Sequence, residues 1–192
     1  WPADRLWHTG FLTLSNHEPF EVPYNRLKDK RQNSFAYTDH CLGEFIDRLK
    51  QLPVWNNLLV ICLPDHGSSP TFNVTSPTFY HIPMLWLGGA IKAPAVIHTL
   101  MNQSDMPATL LGQLGLPHQD FKYSRNIFST SYTYPFAYST FSDGFMFKDS
   151  TGVTIFDNAA RKPVYNEPAP DGAREEKGMT ILQNSYEQLG EN

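Results

Sequence analysis

The residues best suited to chemistry lie at the end of an apolar run. Residues 58–63 are continuously apolar, and Pro64-Asp65-His66-Gly67 follows them directly. A carboxylate oxygen and an imidazole nitrogen are ligands suited to Zn²⁺ or Mn²⁺. Gly67 allows a sharp backbone turn, so that both side chains can face one point. The tetrapeptide alone leaves two interpretations open, a divalent metal site or a capped turn that carries a polar histidine.

Two further histidines stand beside short apolar runs. His17 follows the run 11–15, and His81 begins the run 81–87. In open α/β sheets, ligands bind at the carboxyl ends of the strands. If these strands are parallel neighbours, both histidines lie on the same rim as the Asp65-His66 pair. The sequence therefore predicts a site that contains these histidines as well as the pair.

The elements that must position these residues alternate between helix and strand and then become β-rich. The pattern predicts a helix from Ser34 with Asn33 or Ser34 as its N-cap, a central buried strand at 58–63, a second strand at 81–87, a helix opened by Ser104-Asp105-Met106-Pro107, an antiparallel meander from 135 to 165, and a final helix at 175–189. We expect an α/β fold with a mixed, largely parallel sheet flanked by helices. Residues 1–118 form its α/β part, and residues 119–192 form the meander and terminal helix.

Composition bounds the function without identifying it. The chain has 192 residues, 15 basic and 19 acidic side chains and a net charge of −4. This balance gives no electrostatic reason to expect a nucleic-acid partner. No apolar run approaches the ~20 residues of a membrane helix, and no targeting signal is visible. Because the chain begins at Trp1, we expect it to be part of a longer product. Cys41 and Cys62 are expected to be thiols rather than a disulfide.

Several segments, taken in order, resemble a known superfamily. They are Ser15-Asn-His17-Glu-Pro-Phe, Asn33-Ser-Phe-Ala-Tyr37-Thr38-Asp39, Pro64-Asp65-His66-Gly67, His81-Ile-Pro83 and Asp105-Met-Pro-Ala-Thr-Leu-Leu. Together they resemble the alkaline phosphatase superfamily, and within it the sulfatase-like branch that includes lipoteichoic acid synthases. The resemblance covers residues 11 to about 118, and it implies that the chain is the carboxy-terminal part of one sulfatase-like catalytic domain.

The resemblance implies a metal-dependent transferase or hydrolase that acts on phosphodiesters. It implies that Asp65 and His66 are metal ligands and that His17 contacts the substrate phosphate. It implies that His81 lies near the phosphate or a second metal. One divalent metal is expected, Mn²⁺ first, with Mg²⁺ or Zn²⁺ as alternatives. The substrate is expected to be a phospholipid head group or another phosphodiester. The parent protein is expected to be membrane-anchored, with its catalytic domain outside the cytoplasm.

The catalytic nucleophile is not found in this sequence. The resemblance implies a Thr nucleophile and a Glu metal ligand, both in the amino-terminal half of the domain. We therefore expect the parent protein to be an enzyme and the 192-residue chain alone to be inactive. Two alternatives stay open. One is a sulfatase or phosphoethanolamine transferase of the same superfamily, and the other is a catalytically inactive relative that binds a ligand.

Overall fold

A computed structural model describes residues 5–67 and 73–190. The chain divides into two compact units. The first comprises Trp1–Cys62 and Met84–Pro94, and the second comprises Leu63–Pro83 and Ala95–Asn192. Across the described ranges, no helix has both the length and the apolar character needed to cross a membrane.

The first unit contains one long helix, α1, at Lys30–Lys50. The sequence predicted a later start, with Asn33 or Ser34 as the N-cap, and this was wrong. Asp29 is the N-cap, because its side chain accepts a hydrogen bond from the Gln32 amide at 2.8 Å. Asn33 instead pins the preceding loop, since its Oδ1 accepts from the Leu27 amide at 2.8 Å. The first turn is polar, and so apolar periodicity could not reveal it.

Two short strands in the first unit pair antiparallel, where the sequence predicted parallel neighbours. Strand β1 is Val60–Cys62 and strand β2 is Leu85–Leu87, with Cys62 opposite Leu85. A parallel pair needs a crossover connection that usually contains a helix. In the described residues between β1 and β2, the only helical element is the 3₁₀ turn Pro77–Tyr80. The carboxyl end of β1 therefore lies beside the amino end of β2.

The strand expected at residues 11–15 does not form. Phe11, Leu12 and Leu14 are exposed, and none of the strands in the described part of the chain pairs with this run. An isolated strand leaves its backbone groups without ladder partners and is stable only against a neighbour. An apolar run can form a strand only beside a neighbouring strand, and the local sequence does not specify that neighbour.

The second unit is built on the predicted antiparallel meander. Its strands are ordered β3-β4-β5-β6, each antiparallel to the next. Their bounds are Ala137–Phe141, Gly144–Asp149, Gly152–Asp157 and Lys162–Glu167. Two helices complete the unit, α2 at Met106–Gln113 and α3 at Gly172–Gly190. Both predicted helices and the meander are thus confirmed to within a few residues.

The core of the second unit lies on both faces of β4. On one face, Phe145, Phe147 and Phe156 form an aromatic cluster with α3 packed over it. Gly178 makes this approach possible, because a Cβ at that position would overlap the Phe145 ring. On the other face, a second cluster consists of Met146, Val153 and Ile155. The sheet of the second unit is therefore packed on both faces.

A buried carboxylate links the end of β4 to α3. Asp149 is only 4% exposed, and it accepts hydrogen bonds from Tyr134, from Lys177 at 3.2 Å and from the Thr151 hydroxyl at 2.6 Å. Burial alone would raise the pKa of Asp149, but the hydrogen bonds from Thr151, Tyr134 and Lys177 outweigh it. The pKa is held well below its ordinary value, so the carboxylate is charged in the folded state.

Replacing Asp149 with Asn is expected to destabilise the chain in a pH-dependent way. At pH 7 the charge-assisted hydrogen bonds are lost, at a cost of roughly 1.5–3 kcal/mol. A carboxyl whose pKa is lowered by folding contributes stability above its unfolded pKa of about 3.9, and this contribution disappears as the pH falls further. Urea unfolding at pH 7 and at pH 3 should therefore show a gap between wild type and Asp149→Asn that narrows in acid.

The matched control for this prediction is Asp143→Asn, on the exposed turn between β3 and β4. It removes the same charge from a side chain that is open to solvent, so the unfolding midpoint should change little at either pH. An equal gap at pH 7 and pH 3 for Asp149→Asn would show that the charge of this carboxylate does not contribute.

Candidate metal and phosphate site

The Asp65-His66 pair is held in one orientation by its own backbone. The Asp65 Oδ1 accepts a hydrogen bond from the His66 amide at 3.0 Å. The His66 Nδ1 lies 2.8 Å from the Gly67 carbonyl oxygen, and because a carbonyl only accepts, Nδ1 carries the proton. In the neutral ring this leaves the lone pair on Nε2, which lies 3.7 Å from the Asp65 Oδ2. The Asp65 Oδ2 and the His66 Nε2, which are atoms of the kinds that bind divalent metals, thus face each other.

Gly67 is required by close packing. A Cβ at Gly67 would overlap the carbonyl oxygen of Phe79, and no positive φ is found at this glycine. The sequence correctly singled out Gly67, but the reason is the approach of another backbone segment and not a left-handed turn. The loop that contains the pair is therefore fixed against the 3₁₀ turn at Pro77–Tyr80. His81 follows that turn directly.

The 3₁₀ turn before His81 packs against the sheet of the second unit. Tyr80 packs against the cluster of Met146, Val153 and Ile155, and its hydroxyl donates to the Val74 carbonyl at 2.7 Å. Burial raises the pKa of Tyr80 to about 12, so this hydroxyl stays protonated. His81 itself is exposed. The structure thus brings the segment of His81 and the loop of Asp65-His66 together within one unit.

His17 belongs to the first unit, where its loop is fastened to α1. The Thr38 hydroxyl donates to the Asn16 Oδ1 at 2.8 Å, which explains the role of Thr38 in the Tyr37-Thr38-Asp39 motif. The His17 Nδ1 lies 3.0 Å from the Glu18 carbonyl oxygen and so also carries the proton. His17 is exposed. In the neutral ring its lone pair then lies on Nε2, as in His66. Its assignment to the phosphate stays a prediction.

The geometry of the Asp65-His66 pair is compatible with one divalent cation, but the pair alone does not complete a metal site. Asp65 and His66 have side chains that are 78% and 63% exposed, so both donors can be reached from solvent. Bonds of about 2.1 Å from each donor to one cation are compatible with their separation. In the ranges 5–67 and 73–190, no three His, Cys, Asp or Glu side chains are grouped closely enough to hold a metal ion. Asp65 and His66 are two donor groups and not a complete metal site, and their assignment as metal ligands stays a prediction.

Sequence reasoning missed the residues that hold the loop from behind. Gln103 donates from Nε2 to the Pro64 carbonyl oxygen at 2.8 Å. Asn102 begins a reciprocal capping box with Asp105, which the sequence identified only as a helix cap. Asp105 is fully buried and forms an ion pair with Arg125 at 2.7 Å. The spacing of Asn102 and Asp105 is a recognisable capping signal, but nothing local connects Arg125 to it.

Comparison with a solved structure shows the fold, and a family model shows the family. A crystal structure of a protein in the alkaline phosphatase superfamily from Vibrio parahaemolyticus matches 92% of this chain with a TM-score of 0.68, at 20% sequence identity and over 48% of that protein. This confirms the α/β fold of that superfamily, with the antiparallel sheet and terminal helix in their expected places. A family model for sulfatases matches residues 4–116, and the chain belongs to the sulfatase family.

A curated relative extends the comparison to phosphate chemistry. The phosphopentomutase of Helicobacter pylori (strain HPAG1) is 30% identical over 118 residues, which is 60% of this chain and 27% of the relative. The chain thus spans about a quarter of the length of that relative. Among these comparisons, the family model assigns the chain to a family, and that family is the sulfatases.

Proposed function

We propose that this chain is the carboxy-terminal part of a metal-dependent enzyme that cleaves phosphodiesters and transfers a phosphoglycerol group, similar to lipoteichoic acid synthases. The observation that supports the proposal most directly is the opposed Asp65 and His66 donors, 3.7 Å apart on a loop fixed by the Gly67 contact. The extent of the match agrees with it, because the chain covers 48% of the Vibrio protein and leaves room for further site residues outside it.

In this proposal, Asp65 and His66 hold one divalent cation, Mn²⁺ first. A cation bound there would stabilise the negative charge that develops on the nonbridging phosphate oxygens. His17 and His81 are each proposed to contact a substrate phosphate, and such contacts orient it for attack. We assign the nucleophile to a Thr hydroxyl in a part of the catalytic domain that precedes these residues in the parent protein.

The proposed substrate is a phospholipid head group, and the proposed location is the outer face of the cytoplasmic membrane, where the parent is anchored. Support for both comes from the ordered motifs at Ser15-Asn-His17-Glu-Pro-Phe, Pro64-Asp65-His66-Gly67 and His81-Ile-Pro83. The net charge of −4 gives no reason to favour a nucleic acid as an alternative phosphodiester.

The test is a comparison of ester classes with the parent protein. Release of p-nitrophenol from bis-p-nitrophenyl phosphate, from p-nitrophenyl phosphate and from p-nitrophenyl sulfate is measured with Mn²⁺, Mg²⁺, Zn²⁺ or EDTA. The proposal predicts that the diester is the best substrate and that EDTA abolishes turnover. With phosphatidylglycerol vesicles, it predicts release of diacylglycerol.

The other outcomes identify the alternatives. Preference for the sulfate ester would establish a sulfatase. Preference for the monoester would place the chain with the phosphopentomutase it matches at 30% identity. A folded parent protein without turnover under any metal would indicate a relative that binds ligand without catalysis.

A further inference from the structure

The loop that contains Asp65 exposes both side chains of the pair. The Asp65 and His66 side chains are 78% and 63% exposed. Among the described residues, one contact to the loop backbone lies directly before Asp65. The Pro64 carbonyl oxygen accepts a hydrogen bond from the Gln103 Nε2 at 2.8 Å.

This hydrogen bond acts on the peptide group that leads into Asp65. The Pro64 carbonyl and the Asp65 amide share one rigid plane. Fixing the carbonyl therefore restricts the orientation of that plane, and with it the direction in which the Asp65 side chain leaves the backbone. Residue 103 is far from residue 64 in sequence, so this contact exists only in the folded chain.

The backbone on both sides of Gln103 is held by hydrogen bonds. It begins the 3₁₀ turn Gln103–Asp105, in which the Asn102 amide donates to the Asp105 Oδ2 at 2.8 Å. The Asn102 Oδ1 accepts from the amide of Tyr138, a residue of strand β3, at 2.6 Å. The buried Asp105 is paired with Arg125. The backbone of Gln103 is thus tied to the sheet on one side and to a buried ion pair on the other.

We propose that Gln103 is a positioning residue that orients the Asp65 carboxylate for the divalent cation. This inference rests on the proposed function, because it assumes that Asp65 is a metal ligand. Gln103 does not touch the cation, the substrate or the reacting atoms. The hydrogen bond from Gln103 restricts the loop before the cation binds. Binding therefore costs less conformational entropy, which raises the affinity for the cation.

The test replaces Gln103 with Glu in the parent protein and measures Mn²⁺ affinity from the EPR signal of the free ion. Glu has nearly the same size but cannot donate to the Pro64 carbonyl. The added negative charge would by itself tighten cation binding. Loss of the positioning hydrogen bond predicts the opposite, a dissociation constant about 2- to 10-fold higher. The neutral variant Gln103→Met is expected to show the same direction.

The control is Gln113→Glu, the same change at an exposed residue at the end of α2. It should leave Mn²⁺ affinity unchanged. In both Gln103 variants, the amides of residues 65–67 should exchange hydrogen faster while the urea midpoint stays that of wild type.

The outcomes separate this inference from the proposed function. If Asp65→Asn abolishes Mn²⁺ binding but neither Gln103 variant weakens it, the positioning role is overturned and the metal site stands. If Asp65→Asn leaves Mn²⁺ binding intact, the metal site itself is overturned. A loss of affinity in the Gln103 variants that comes with a lower unfolding midpoint would show a general structural role and would also overturn the inference.

Discussion

Replacing Asp65 with Asn is expected to lower metal-dependent turnover of the diester by more than about 100-fold. Loss of a partner that hydrogen-bonds the side chain of a metal ligand costs ~10–100-fold, and loss of the ligand itself should cost more. Asn keeps an oxygen that can accept from the His66 amide, a hydrogen bond of 3.0 Å in the wild type. The loop should therefore keep its shape while it loses the negative charge that attracts the cation.

The control for this substitution is Asp120→Asn, which removes the same charge at an exposed residue of the second unit. Its turnover and its metal dependence should equal those of wild type. Circular dichroism and the urea midpoint should be unchanged in both variants. Turnover of Asp65→Asn within a few-fold of wild type would mean that the strand tip is a capped turn, which was the other interpretation of the tetrapeptide.

The largest effect on stability is expected at Asp105. This side chain is fully buried, and both of its oxygens accept hydrogen bonds from Arg125, at 2.9 Å from the amide, 3.0 Å from Nε and 2.7 Å from Nη2. The Arg125 guanidinium also lies 3.8 Å from the centre of the Phe136 ring. Asp105→Asn leaves this cation without its counter-charge, which should lower the free energy of unfolding by roughly 3–5 kcal/mol.

A double-mutant cycle tests whether the pair is the cause. Arg125→Met combined with Asp105→Asn removes both charges, so its cost should be clearly smaller than the sum of the two single costs. Urea unfolding at pH 7 measures all three variants. Additive costs would show that Asp105 stabilises the chain through the hydrogen bonds that it accepts from the backbone amides of Asn102 and Arg125, and not through the Arg125 guanidinium.

The elements that depend on local signals could be read from the sequence. Helix α2 follows from the early Pro107 and the capping residues before it, and the turn at Asp143-Gly144 separates β3 from β4 as expected. Asp65-His66 could be singled out because a carboxylate and an imidazole rarely end an apolar run side by side. Each of these features depends on residues that are only a few positions apart in the sequence.

The features that depend on distant residues could not be read. The antiparallel pairing of Cys62 with Leu85 is set by the path of the connection and not by the strands. The reason for Gly67 is the Phe79 backbone, and the partner of Asp105 is Arg125. Gln103 gave no signal at all, because an exposed glutamine in a polar turn is ordinary. Each of these contacts appears only when the chain is folded.

The most direct test is to locate Mn²⁺ by anomalous diffraction in crystals of the parent protein, soaked above the measured dissociation constant. We expect one Mn²⁺ peak bonded to an Asp65 carboxylate oxygen and to the His66 Nε2, at about 2.0–2.2 Å from each. A peak that contacts neither residue, or no peak at saturating Mn²⁺, would show that Asp65 and His66 do not hold the metal.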